Sequence, residues 1–189
     1  GILIAIMITR SAIEMISEAV SDMIGKRADK ELSHAVKQTI AKSEGVYGVY
    51  DLIMNNYGPD TFQGSVHIEV PDTFTANQLD DLIRNITATV YQRHHVILTA
   101  IGVYSLNTTN PKAVEAREQV STLVLSPESI LQMHGFYIDE ATKTIRFDVV
   151  VSFDAADRPA GYREICDRVQ KAFPDYRLEI AMDTDFSEE

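Results

Sequence analysis

The segment Gly45-Val-Tyr-Gly-Val-Tyr-Asp-Leu52, followed by Asn55-Asn-Tyr-Gly-Pro59 and Val66-His-Ile-Glu-Val70, decides the fold of this chain. It combines an extended stretch, a Gly-Pro turn and a second extended stretch in which apolar and polar side chains alternate strictly. Because successive side chains of a strand point to opposite faces, His67 and Glu69 share one face and the apolar residues share the other. The segment therefore predicts a hairpin with one face in a core and His67 and Glu69 on an uncovered face.

Helical patterns lie on both sides of this hairpin. Before it, apolar residues recur at helical spacing over residues 10–25, and a second helix is predicted from about residue 29 to residue 44. After it, Thr75 and Gln78 form a capping box that opens a strongly amphipathic helix. A strand over 96–103 follows directly. The order predicted for the first half is helix, strand, strand, helix, strand.

The second half repeats this plan. Its helix carries the stripe Tyr162, Ile165, Cys166, Val169 and Phe173, spaced like Leu79, Leu82, Ile83, Ile86 and Val90 at a constant offset of 83, because 162 − 79 and 173 − 90 are equal. Ser126-Pro127 predicts a short helix to Met133, and strands are predicted near 136–138, 145–153 and 176–182. The fold class is therefore α+β, with two tandem ferredoxin-like units joined by a linker that contains a helix over 112–125.

Composition excludes one class of partner and favours another. The net charge of −11 and the pI near 4.8 argue against nucleic acid, which binds clustered Lys and Arg. Divalent cations suit such a surface better, although acidity alone is weak support. A single cysteine cannot form an internal disulfide and suits a reducing compartment. No phosphate loop, nucleophile elbow or zinc-finger spacing is present in the sequence, so an enzyme is not expected.

Taken together, the Gly-Val-x-Gly-Val-x-Asp-Leu strand, the Tyr-Gly-Pro turn and Val-His-Ile-Glu resemble the cytoplasmic C-terminal domain of the cation diffusion facilitator family. These proteins are proton-coupled exporters of zinc, manganese, iron and similar ions. The resemblance implies a homodimeric cytoplasmic region of a cell-membrane transporter, which senses divalent cations and biases the transmembrane part. It further implies that the transport residues lie on transmembrane helices outside this chain.

The resemblance also divides the chain. Residues 1–26 are similar to the end of the last transmembrane helix and its exit segment. Residues 27–105 correspond to the cation efflux cytoplasmic domain, residues 106–125 to a linker helix and residues 126–189 to an additional ferredoxin-like unit that some members carry. In this scheme the uncovered sheet face of the domain is free to meet a second copy.

His67 is the metal ligand that the resemblance implies. In the family, a histidine at this position binds an ion in the groove between two cytoplasmic domains. At the other family ligand positions this chain has Tyr50, Asn77, Gly102 and Tyr104. Stable zinc sites need three or four protein ligands, so the resemblance supplies an incomplete set. Asp51 and Glu69 are conceivable replacements for an ion that accepts oxygen donors, such as manganese, magnesium or iron.

The remaining histidines and the acidic end are explained more simply. His94-His95 fits a helix C-terminus better than a metal pair, His34 is expected to be solvated, and His134 has no partner identifiable from sequence. Asp183-Thr-Asp185 with Glu188 and Glu189 is typical of a solvated terminal charge run, with weak calcium or manganese binding by carboxylates on one strand face as the alternative. Two other functions stay open, a free-standing ferredoxin-like module that binds a small ligand and a dimerisation scaffold without metal.

Overall fold

The structure, a computed structural model, describes residues 1–24, 26–27, 30–56 and 62–183. The predicted Gly25 helix end, the Gly58-Pro59 turn and the acidic residues 184–189 lie outside the described residues. In chain order the elements are α1 (Ile2–Ile24), β1 (Lys26–Arg27), α2 (Lys30–Ala41), β2 (Gly48–Asn56), β3 (Phe62–Pro71), α3 (Ala76–His94), β4 (Val96–Leu106), α4 (Pro111–Val124), β5 (Ile130–Asp139), β6 (Thr144–Val151), α5 (Arg158–Ala172) and β7 (Arg177–Asp183).

The first unit is formed by β1 through β4 and has the predicted order of helix, strand, strand, helix and strand from α2 onward. Its sheet has the strand order β1-β2-β3-β4, with β2 and β3 antiparallel and β3 and β4 parallel. The capping box at Thr75 and Gln78 is confirmed, since each side chain bonds the other residue's backbone N–H. Helices α2 and α3 cover one sheet face and bury a core centred on Val36, Ile68 and Ile86.

The second unit, formed by α4 through β7, has the strand order β5-β6-β7, with β5 and β6 antiparallel and β6 and β7 parallel. The helix predicted from Ser126 to Met133 is wrong, because β5 begins at Ile130 and the residues before it form bends and a turn. Helix α4 supplies the missing helix of the unit. Its buried face, which includes Ala113 and Val120, packs into the core of β5, β6 and α5 around Phe136 and Phe147.

Both units carry a β-bulge at the same place in the hairpin. On each bulged strand two residues stand opposite one residue of the partner strand, and the first of the two has a positive φ, 53° at Asp51 and 64° at Gly135. A bulge of this kind places neighbouring side chains on one face and turns the strand. The pairs that flank the bulges are Tyr50 with His67 and Ile53 with Ser65 in the first unit, and His134 with Asp148 and Tyr137 with Arg146 in the second.

Helix α1 precedes both units and carries many exposed apolar side chains, among them Ile2, Leu3 and Met7. It begins at Ile2, eight residues before the start that the sequence pattern predicts. Among the described residues, no helix combines the length and the apolar character that a bilayer-spanning helix requires.

Candidate metal centre between the two units

The sheet face expected to be open is partly covered by the second unit. The Tyr50 ring on β2 stacks on the His134 ring of β5, with centroids 4.9 Å apart and planes 16° from parallel. Around this stack the uncovered faces of the two sheets approach each other. The expectation that this face is free to meet a second copy is therefore wrong at Tyr50, because the chain's own second hairpin occupies that position.

Three side chains form the candidate site at this contact. The Nε2 atom of His134 lies 3.3 Å from Oδ1 of Asp51 and 3.4 Å from Oδ2 of Asp183. One ligand atom from each of the three residues lies within 4.8 Å of the others. Oδ2 of Asp148 is a little farther away, 3.9 Å from the same nitrogen. Two strands of the second unit and one strand of the first thus converge on a single point.

The imidazole at the centre of this group has no exposure to solvent and contacts two carboxylates. The His134 side chain is 0% exposed, and its Nε2 atom lies at ion-pair distance from Asp51 and Asp183. Its Nδ1 atom has no hydrogen-bond partner among the described residues. Oδ1 of Asp51 is buried as well. Buried polar atoms are normally satisfied by protein, water or an ion, and a cation at this point would be a suitable partner for them.

Neighbouring charges shift the pKa values of His134 and Asp51. Burial alone lowers the pKa of His134, but the adjacent Asp51 carboxylate and the charges of Asp148 and Asp183 outweigh it and raise the pKa. Burial raises the pKa of Asp51, yet the His134 imidazole, with contributions from Tyr104 and Asp183, lowers it to about 2. Three carboxylates around one imidazole thus hold an excess of negative charge that a bound cation would neutralise.

Asp51 reaches the site because of the bulge. Val49 and Leu52 pack toward the first core, so in a regular strand Asp51 and Tyr50 would point to opposite faces. The bulge places both on the uncovered face, where Tyr50 stacks on His134 and Asp51 faces it. Aspartate tolerates the left-handed backbone better than most residues, which suits a φ of 53°.

His67, the ligand expected from the sequence, lies beside the three-residue group. Its Nδ1 atom is 3.0 Å from Oδ2 of Asp51, and its ring stacks on Tyr104. The ring lies flat over Gly102, where an added Cβ would come within 2.0 Å of ring atom Cδ2. Gly102 thus provides the space that His67 occupies.

Tyr104 connects the first unit to the carboxylates of both units. Its hydroxyl lies 2.9 Å from Oδ2 of Asp51 and 2.9 Å from Oδ2 of Asp148, and it can donate to either. Burial, with the charges of the two carboxylates, raises the pKa of Tyr104 well above its usual value. The phenol is therefore a neutral donor that holds the two carboxylates in place.

Glu69 is not part of the site. It was expected beside His67 on the uncovered face, but its side chain is 1% exposed and forms an ion pair with Arg117 of α4 at 3.0 Å. Burial raises its pKa, against the opposing charge of Arg117. Glu69 therefore forms a second contact between the units and does not serve as a replacement ligand.

The other histidines lie at a helix end or on the surface, as the interpretation without metal predicts. Nε2 of His94 lies 2.7 Å from Oγ1 of Thr39, and His95 is the left-handed C-cap of α3. His34 is exposed on α2. Sequence reasoning missed His134, and at Asp183 it favoured a solvated tail over weak cation binding. The repeat held the missing signal, since alignment of the two hairpins at their bulges places His134 at the position of Tyr50.

The donor set suits a divalent cation. Imidazole nitrogen with two or three carboxylate oxygens, and no thiolate, is a mixed set that zinc, manganese or iron accepts. The excess negative charge around the buried Nε2 atom of His134 agrees with that chemistry. We conclude that the residues present fit a cation at this point.

Comparison with known proteins finds one family model that is similar to the first unit. Residues 28–101 match the family model described as "Cation efflux protein, cytoplasmic domain". No curated protein matches the chain at a significant level. Among solved structures, a nickel form of a variant MamM C-terminal domain is 16% identical, covers 42% of this chain and 99% of its own, and has a TM-score of 0.36. A copper form is 17% identical, covers 41% and 74%, and has a TM-score of 0.34.

Proposed function

We propose that this chain is the cation-responsive regulatory region of a divalent metal efflux transporter, because its residues 28–101 match the model of the cation efflux cytoplasmic domain. The family is one of cation transporters rather than enzymes. In this proposal the parent protein lies in the cell membrane and exchanges protons for metal ions, with this region on its cytoplasmic side. Helix α1 would connect the region to the transmembrane part.

One observation carries the proposal, the convergence of the Asp51 and Asp183 carboxylates on the buried His134 imidazole. A cation bound there would draw together two units that otherwise present repelling carboxylates. An ion shifts a conformational equilibrium only when it binds one arrangement more tightly than another. The closed arrangement of the two units, with all ligands present, is the one that a cytosolic zinc, manganese or iron ion would favour.

His67 has a supporting part in this proposal. The prediction that it ligates the ion stays a prediction, since it contacts Asp51 and lies outside the three-residue group. We propose that it orients the Asp51 carboxylate. The domain division also stays proposed, with α4 assigned to the second unit on the basis of its packing. In the parent transporter, the predicted homodimer would bring two copies of this region together. Within each copy, the sheet faces of the two units would already be in contact.

Calorimetric titration of the full chain with zinc and manganese tests the proposal. Wild type should bind one ion, and His134→Phe, which keeps a ring against Tyr50 but removes both nitrogens, should abolish binding. Asp80→Asn removes one exposed carboxylate of α3 that pairs with Arg84, so it serves as a control for acidity away from the site and should bind like wild type. Equal binding by all three proteins would reject the site. Absence of binding in wild type would favour the metal-free scaffold.

A further inference from the structure

The two units are equivalent at the level of strand register. When the hairpins are aligned at their bulges, every pairing that flanks one bulge has a counterpart at the other. The last strands align as well, because Gly102 pairs with His67 where Ala181 pairs with Asp148. The equivalent residues are Tyr50 and His134, Asp51 and Gly135, His67 and Asp148, and Tyr104 and Asp183.

The contact between the units follows this equivalence. In a two-fold symmetric interface, residue i contacts residue j and residue j contacts residue i, while residues on the axis contact their own counterparts. Tyr50 and His134 are counterparts, and they stack on each other. The stack is therefore where a pseudo-two-fold axis would pass.

Contacts away from that stack occur in related pairs. The Tyr104 ring touches Gly135 so closely that an added Cβ would lie 2.9 Å from it. The equivalent contact joins Asp183 and Asp51, which are two members of the candidate metal group. Both contacts fall where pseudo-two-fold symmetry requires them.

We propose that the second unit occupies the place of a partner subunit, so that this chain closes its sheet face and its cation site as an internal pseudo-dimer. The ligands from the second unit are its own residues at the positions equivalent to Tyr50 and Tyr104, namely His134 and Asp183. Arg117 of α4 adds an ion pair to Glu69 on β3 within the same chain. The metal part of this inference rests on the proposed function; the closure of the face does not.

Complementation between two full-length variants tests whether the ligands belong to one chain. Asp51→Asn disables the first unit and Asp183→Asn or His134→Phe disables the second. If each site is built within one chain, co-expressed pairs bind no more zinc than either variant alone. If the units pair between chains, mixed dimers keep one intact site, and about one site in four returns. That recovery would overturn the proposal.

A second measurement decides the matter even if wild type binds no metal. Gln92 on α3 and Lys171 on α5 are exposed, one in each unit, and can carry spin labels as cysteines in a Cys166→Ser background. The distance between the labels should persist when the doubly labelled chain is diluted with excess unlabelled chain. Loss of that distance on dilution would show that the units meet between chains and would overturn the proposal. Absence of metal binding with a persistent distance would reject the proposed function alone.

Discussion

The two units share their strand register and differ in chemistry at three equivalent positions. The first unit presents Tyr50, His67 and Tyr104 on its uncovered face, and the second presents His134, Asp148 and Asp183. The first unit thus contributes mainly aromatic rings and a phenol, while the second contributes carboxylates and a buried imidazole. Asp51, which the bulge turns toward the contact, is the carboxylate that the first unit adds to the metal group.

Because the two faces carry different side chains, together they can form a site that neither unit forms alone. The shared strand register sets the positions of the side chains, and the chemistry of the side chains at those positions differs between the units. A mixed nitrogen and oxygen set forms where the unequal faces meet.

The largest expected effect concerns the two cores. Leu52 and Phe136 are equivalent bulge residues, 2% and 1% exposed, and they lie in separate cores. Replacement by alanine removes buried contacts and should lower the free energy of unfolding by about 2–5 kcal/mol for Leu52→Ala and about 3–5 kcal/mol for Phe136→Ala. Urea denaturation of the single and double variants measures these losses. Since separate sites usually add, a double variant far from the sum would contradict the independence of the cores.

Arg117→Ala tests the tie between α4 and β3. The variant leaves the Glu69 carboxylate buried without its partner, which typically costs about 3–5 kcal/mol, and the half-exposed Arg117 places the expected loss near the lower value. Arg84→Ala is the matched control, because it breaks an exposed pair with Asp80 that contributes at most about 1 kcal/mol. Denaturant titration compares the two variants. Equal losses of stability would mean that the Glu69 pair does not join the units.

Asp51→Asn tests the one carboxylate that the first unit gives to the metal group. Asparagine keeps the size of the side chain and tolerates the positive φ, so the backbone should remain intact. Partners that merely orient a metal ligand contribute about 10–100-fold in affinity, so loss of a ligand should exceed about 100-fold. Zinc and manganese calorimetry provides the measurement, with Asp80→Asn as control. A change within a few-fold of that control would remove Asp51 from the site.

Gly102→Ala should have the smallest effect that is still measurable. The new Cβ would displace the His67 ring, which then no longer orients Asp51, and affinity should fall by about 10–100-fold. Gly161→Ala is the control, since its Cβ would meet only a Ser129 atom at an ordinary 3.8 Å. The same titrations compare the two glycine variants. Unchanged affinity in Gly102→Ala would mean that His67 has no part in the site.

Local sequence patterns predict most of the helices and strands. Helical periodicity, the Thr75 and Gln78 capping box and strict alternation in the strands are local signals, and the corresponding elements formed. The start of β5 was mispredicted because Ser126-Pro127 is good helix-opening chemistry. The contacts of β5 with β6 and the packing of α4 against the same core override that local preference.

The site was less predictable, because its geometry is non-local. Asp51 was considered as a ligand, but the bulge that turns it toward the second unit depends on pairing with β3. His134 showed no partner in sequence because its partners are 83 residues before it and 49 residues after it, as 134 − 51 and 183 − 134 give. Glu69 followed the predicted alternation, yet α4 folds back and buries it.

Anomalous diffraction from crystals of the full chain grown with manganese or zinc tests the central claim most directly. The account predicts an anomalous peak between the two units, within bonding distance of Asp51, His134 and Asp183 of the same chain. A peak at any other group of residues, or one whose ligands come from two different chains, would contradict it.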